Sequence, residues 1–299
     1  MTVAVNILPV DARHTVDLGR AADRAGFERL VLADGGRTTH DPWVVLGALA
    51  ETTDQIRLGM ITNPFTRRPE VTANALRSLD QVSSGRAYVI LAAGGQAQLE
   101  SMNAKRERPI TAVREALRTI RERQPEGEVW VATKGEKLLA ITAREADGVL
   151  LSGIPLDRLP ELVERVRAQA RPEFTIAFTL HHAHDESTMQ DARERLVFEL
   201  LNLRADLRET VGVEEGRIEE MRASLTATGS PTGAAALVPD ELVSRFYLVC
   251  GREQLAAQVA DLRADTGVDT VVLPERSLFE DYEAAAPGLA SAATAGGKA

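Results

Sequence analysis

Several short segments concentrate groups that can bind charge or move protons. His181-His182-Ala183-His184-Asp185 sets three imidazoles and a carboxylate within five residues, a set able to ligate zinc or iron. Strand alternation would turn His182 and His184 to one side and His181 to the other. A metal would then need a ligand from elsewhere, and polar residues at a strand end are the plainer reading. Asp34, ahead of Gly35-Gly36, is either a functional carboxylate or a cap or ion-pair partner. Gly94-Gly95 and Lys134-Gly135 each precede a helical stretch. Backbone N–H groups at such places can hold a phosphate, with Lys134 adding a charge, although ordinary turn glycines read the same way. Neither a Walker A nor a Rossmann glycine fingerprint occurs at these loops. The single cysteine, Cys250, excludes an internal disulfide, and its neighbours Leu248 and Val249 suit a small buried hydrophobe.

These groups fall where strands should end. Apolar runs rich in Val, Ile and Leu alternate with amphipathic stretches, the pattern of parallel strands buried on both faces and joined by helices. The runs are 3–8, 29–33, 56–61, 87–92, 128–132, 148–151, 174–180, 246–249 and 270–273, one more than a barrel takes. Between them, Thr15 to Ala25 is helical and stops at Gly26. Asp41-Pro42 caps and opens the next helix, and Pro69 opens another. Ser187 to Leu225 is a charged helical stretch interrupted near Gly212 and Gly216, followed by a small-residue loop from Ala227 to Ala236. This rhythm favours a barrel or an open doubly wound sheet. In either, reacting groups gather at the C-terminal strand ends, which places Asn6, Asp34, Thr62, Asn63, Ala93, Gly94, Gly95, Gln96, Thr133, Lys134 and Ser152 together as candidates.

Composition narrows the partners. In 299 residues, 44% are hydrophobic, enough for one large core, and the net charge of -9 argues against nucleic acid or an anionic membrane. A small neutral molecule fits better. No apolar run approaches a bilayer span and the N-terminus opens directly into a strand pattern, so a cytoplasmic protein is expected. Residues 1–286 read as one domain, and the Ala/Gly/Ser-rich residues 287–299 as a disordered tail.

Ile61-Thr62-Asn63-Pro64-Phe65-Thr66-Arg67-Arg68-Pro69, with Leu79-Asp80 and Ser83-Ser84-Gly85-Arg86-Ala87, resembles the luciferase-like flavin and deazaflavin oxidoreductase superfamily. The likeness is greatest to its methylenetetrahydromethanopterin reductase branch, which uses coenzyme F420. Ala25-Gly26-Phe27-Glu28, Lys134-Gly135, Ala146-Asp147-Gly148-Val149 and Thr266-Gly267-Val268-Asp269 extend it over the chain except the tail. The resemblance implies a (β/α)8 TIM barrel of α/β class, in which residues 246–249 become a helix end and loop. It implies a homodimer, and F420, or alternatively FMN, lying across the C-terminal mouth. The cofactor phosphate would be held by Ala93, Gly94, Gly95 and Gln96 and by Thr133, Lys134 and Gly135. A bulge with a non-prolyl cis peptide at Met60-Ile61, continued by Thr62 and Asn63, would back the ring.

The chain also departs from that branch. Asn6 stands where the reductases carry a glutamate proton donor, Asp34-Gly35 replaces an Asp-His pair, with His40 further along, and Gly95-Gln96 replaces an acidic and a basic residue. An amide has no titrating proton near neutral pH, so a donor must come from Asp34, from a histidine such as His40 or His182, from water or from the substrate, unless the reaction needs none. Asp34 is favoured, and Asn6 either orients the substrate or satisfies backbone groups at the strand end. The activity implied is hydride transfer between F420 and a small organic substrate. The alternatives are an FMN-dependent monooxygenase, or a barrel without cofactor that binds a small ligand or catalyses a non-redox step.

Overall fold

The structure, a computed structural model, describes residues 2–36, 39–95, 99, 102–203 and 205–274. Gln96 and the tail expected at 287–299 lie outside them. Eight parallel strands close a barrel: β1 (Thr2–Ile7), β2 (Arg29–Ala33), β3 (Arg57–Thr62), β4 (Ala87–Ala92), β5 (Glu128–Ala132), β6 (Gly148–Leu151), β7 (Thr175–Thr179) and a last strand, β10 (Thr270–Pro274), which pairs with both β7 and β1. The short β8 (His182–Ala183) and β9 (Leu248–Val249) pair with each other outside it. The run at 246–249 is thus a helix end followed by a two-residue strand, close to what the resemblance implied. Among the described residues no helix is long and apolar enough to cross a membrane.

Helices α1 (Ala12–Arg24), α2 (Pro42–Thr52), α3 (Pro69–Val82), α4 (Pro109–Arg123), α5 (Glu136–Glu145) and α6 (Leu159–Arg167) ring the barrel. The first begins earlier than its apolar spacing predicts, because Asp11 accepts a bond from His14 N at 2.8 Å and caps it. Asp41 caps α2 through Trp43 N at 2.9 Å, with Pro42 in the first turn, as expected. Alternate residues of each strand face outward into the helix layer, where Val5, Leu30, Met60, Val89, Val131 and Leu273 are buried. Full burial of such a side chain contributes about 1.5–3 kcal/mol relative to exposure.

The inner faces carry a layered fill. Ala4, Val31, Ile90, Leu150, Ala177 and Val272 form one level, with Tyr88 and Trp130 beneath them, ring centres 5.4 Å apart. Gly59 makes room for the tyrosine, since a Cβ there would stand 2.2 Å from its Cζ. At the N-terminal end Glu128 accepts from Arg29 and Trp130 and pairs with Arg57, while the Arg29 guanidinium lies 4.7 Å from the Trp130 ring centre. Side-chain ions and aromatic rings therefore fill the bottom of the barrel. The inner residues one step above the apolar level, Asn6, Ile61, Ala92, Ala132 and Ser152, lie at the opposite, C-terminal mouth.

The charged stretch after Asp185 forms three helices, α7 (Glu186–Leu201), α8 (Ala205–Thr210) and α9 (Glu215–Thr228). The chain breaks at Asn202-Leu203 and at Gly212, where φ is +71°, while Gly216 sits inside α9. The small-residue loop expected at 227–236 contains a helical turn, α10 (Thr232–Ala235), with Ala234 and Ala235 buried. These helices and α11 (Asp240–Phe246) enclose a second core through Leu196, Val197, Leu200, Met221, Phe246 and Tyr247. Helix α12 (Leu255–Thr266) returns the chain to the barrel.

Candidate functional site

A cavity of about 760 Å3 opens over the C-terminal ends of β3, β4, β5 and β6 and is walled on one side by α7. Its floor is nearly free of side chains. Ala92, Ala93, Gly94 and Gly95 follow β4, and Ala132 ends β5. Gly94 holds φ +70°, a backbone shape that L side chains resist. Above this floor stand Ile61 from β3 and Phe198 from α7, the latter 46% exposed. The walls are thus apolar and flat at the centre and charged at the rim, where Arg106, Lys134, Arg195 and Glu199 project.

Most polar groups of the cavity have a definite partner. Arg106 donates to Ala93 O at 3.1 Å, bracing the loop after β4. Asn63 is buried and its Oδ1 accepts from Phe65 N and Thr66 N, both at 3.0 Å, so it builds the turn after β3. Thr133 Oγ1 accepts from Gly135 N at 3.2 Å ahead of α5. Lys134 Nζ lies 3.3 Å from Glu199 Oε2 and 3.4 Å from Gly153 O. Arg195 has no ion pair with any described residue.

Of the residues singled out in the sequence, the cavity gathers Ile61, Thr62, Asn63, Ala93, Gly94, Gly95, Thr133, Lys134 and Ser152. Met60, Gly135, Asn6 and Asp34 do not line it. Met60 is fully buried on the outer face of the barrel. Asp34 turns toward the helix layer, where its carboxylate accepts from Thr62 Oγ1 and Gly36 N, both at 3.4 Å, and faces Arg67 Nε at 3.9 Å. Asn6 sits in register with Pro274, and its buried Oδ1 lacks a partner among the described residues. The expected bulge and cis peptide at Met60-Ile61 are corrected: no peptide among the described residues is cis. Regular pairing of Ile61 with Ala33 and Ile90, and of Thr62 with Leu91, keeps the ladder satisfied through the end of β3. The change of direction comes afterwards, at the Asn63 turn.

The sequence model of the luciferase-like monooxygenase family matches residues 4–128 and 122–270. This chain belongs to the luciferase-like monooxygenase family. Among curated luciferase-like relatives, it is 26% identical over 196 residues to the 5,10-methylenetetrahydromethanopterin reductase of Methanolobus tindarius, covering 57% of this chain and 60% of that protein. The reductase of the same name from Archaeoglobus fulgidus is 24% identical over 289 residues, covering 85% and 86%. The solved coenzyme F420 dependent tetrahydromethanopterin reductase from Methanopyrus kandleri superposes with a TM-score of 0.83 at 20% identity, over 99% of both chains. A monooxygenase from Streptomyces bottropensis superposes with 0.68 at 19% identity, also over 99% of both. At these identities the superpositions establish the luciferase-like barrel itself.

In this luciferase-like barrel the α7 wall is what sequence reasoning missed. Arg195, Phe198, Glu199 and Asn202 follow i, i+3, i+4, i+7 spacing, one face of a helix. That spacing is readable, but the face mixes charge and apolar groups and does not stand out in so charged a segment. The histidines are absorbed by structure. His182 Nε2 lies 2.8 Å from Cys250 O, tying β8 to the segment after β9, and its ring stacks on His184 at 5.2 Å. His184 Nε2 receives Arg252 Nε at 2.8 Å. His181 points away from both, edge-on to Tyr247 at 4.9 Å, and burial pushes its imidazole down to about 3. Cys250 is part-exposed rather than fully buried, and burial raises its thiol.

Proposed function

We propose that this protein is an oxidoreductase that moves a hydride between a deazaflavin, coenzyme F420, and a small organic substrate. The observation that carries the reading is the bare floor: Ala92, Ala93, Gly94, Gly95 and Ala132 offer at most a methyl group beneath a cavity of about 760 Å3. A planar ring system can lie flat on such a floor, and the basic groups at its edge suit an anionic tail. The residues present therefore fit the cofactor. The solved Methanopyrus kandleri reductase is named as coenzyme F420 dependent, which supports the deazaflavin over FMN.

When bound, the deazaflavin supplies a carbon that gives or takes a hydride. The chain supplies position and environment. The backbone N–H groups after β4 and the Lys134 and Arg106 cations hold the anionic tail, Ile61 and Ala132 back the ring, and Phe198 keeps water from it. Asp34 acts as a positioning residue through Thr62, whose hydroxyl donates to its carboxylate. Asn6 orients groups at the β1 side of the mouth. Among the described residues lining the cavity, the carboxyl group able to hold or pass a proton is Glu199.

Separate titrations with F420 and with FMN, followed by absorbance and fluorescence, test this reading. Saturable F420 binding that weakens in Lys134→Met is expected. Tighter FMN binding would favour a monooxygenase, and binding of neither would overturn the cofactor assignment.

A further inference from the structure

A second, smaller chamber of about 50 Å3 adjoins the first, and Arg195 lines both. Tyr247 and His181 form its inner wall, Pro274 closes it beside β1, and Thr188, Asp191 and Ala192 come from α7. We propose that this chamber is a subsite for the carboxylate of a small organic acid. The claim that the acid is the substrate rests on the function proposed above; the claim that the chamber binds a carboxylate does not.

The donors make the argument. Tyr247 is 2% exposed, yet its buried Oη has no hydrogen-bond partner among the described residues. A phenol so placed costs free energy unless a ligand or water completes it. Burial first, and then the charge of Glu199, hold this phenol well above its ordinary range, so it stays protonated and able to donate. The His181 ring, neutral at ordinary pH, offers one N–H, and the Arg195 guanidinium offers a fork of donors with no carboxylate opposite it. Thr188 is already committed to the Asp185 cap, and Asp191 stands exposed at the rim. Glu199 has Lys134 as its cation. The acceptors facing them are His182 Nδ1, whose ring gives its proton to Cys250 O, and the second nitrogen of His181. Among the described residues donors therefore outnumber free acceptors at the inner wall, the condition that selects a carboxylate, whose two oxygens match the arginine fork.

Size agrees. A water needs roughly 10–15 Å3 of such space, so the chamber holds a few waters or one planar carboxylate. Through Arg195 the rest of the acid would extend into the large cavity.

The test uses the full chain without cofactor, titrated with acetate and with acetamide at constant ionic strength, following the histidine ring resonances by NMR. Acetate should saturate and move the His181 signals while acetamide does not. Tyr247→Phe and Arg195→Gln should each weaken acetate binding by about tenfold. Equal responses to acetate and acetamide, or parental acetate affinity in both variants, would overturn the subsite. Arg195 is exposed on α7, so its variant tests the idea even if the tyrosine variant folds poorly. F420 binding measured on the same samples is a separate readout: its absence from the parent would count against the oxidoreductase reading and leave the acetate result standing.

Discussion

Lys134 Nζ lies 3.3 Å from Glu199 Oε2, so the cation that β5 offers to an anionic ligand is already held by a carboxylate from α7. An anion arriving at the Gly94 and Lys134 loops must compete with Glu199. The Glu199→Gln variant should therefore bind inorganic phosphate and cofactor more tightly than the parent, by about two- to fivefold, the range of a part-exposed ion pair. Isothermal titration at low salt reads this directly. Weaker binding in the variant would show that Glu199 does not compete for Lys134.

Gly153 belongs to the same contact. Its φ is +58°, and a Cβ there would stand 1.7 Å from Glu199 Oε2 and 2.9 Å from Lys134 Nζ. Gly153→Ala should cost about 1–2 kcal/mol in urea unfolding from the left-handed backbone alone. It should also displace Glu199, and combined with Glu199→Gln it should bring no further gain in phosphate affinity. An additive gain would mean that the two residues act separately.

The base of the barrel should be sensitive for another reason. Glu128 answers both Arg29, which is 8% exposed, and Arg57. Glu128→Gln leaves Arg57 without its carboxylate and Arg29 with Glu28 alone, 3.7 Å away, and should cost about 3 kcal/mol. Denaturant unfolding would check this, with ligand binding at the far mouth unchanged in the folded protein.

Acid should find His181. Its folded value of about 3 lies below the ordinary 6.5, so between these values the unfolded chain binds the extra proton. Stability from this group is complete above about pH 6.5 and is lost as pH falls toward about 3, at up to about 1.4 kcal/mol per pH unit. Unfolding free energies of the parent should fall more steeply over that window than those of His181→Phe. Parallel curves would mean that the imidazole is not held neutral.

The tyrosine beside it makes the opposite test. Because Tyr247 Oη is buried without a partner among the described residues, Tyr247→Phe removes an uncompensated polar group. Its thermal unfolding should match the parent or improve on it by up to about 1 kcal/mol. A clear loss would reveal a structural bond to the hydroxyl.

Much of the scaffold was legible in the residue order. The runs at 29–33, 87–92, 128–132 and 148–151 are strands with those bounds. A strand buried on both faces must be apolar at nearly every position, and such runs are conspicuous between amphipathic helices. Asp41-Pro42 and the glycine at 26 marked helix ends because capping and positive φ are local demands that few residues meet. Gly94, Gly95 and Lys134 were placed at strand ends for the same reason. Asp34 was placed there too, but strand position alone does not say where a carboxylate turns once the strand has ended. Its partners, Thr62 and Arg67, come from the next β/α unit.

By itself, then, the sequence determined the alternation of strand and helix, the family likeness and the small-residue loops that make a floor, since each follows from local pattern. The tertiary structure decided what stands over that floor. Glu199 reaches Lys134 across 65 residues of chain, Arg195 faces two cavities, and Tyr247 is buried against His181. These meetings depend on the path of α7 across the barrel mouth, set by the packing of a second core from distant helices. No local spacing encodes that path, because the same helical face would serve equally well in solvent.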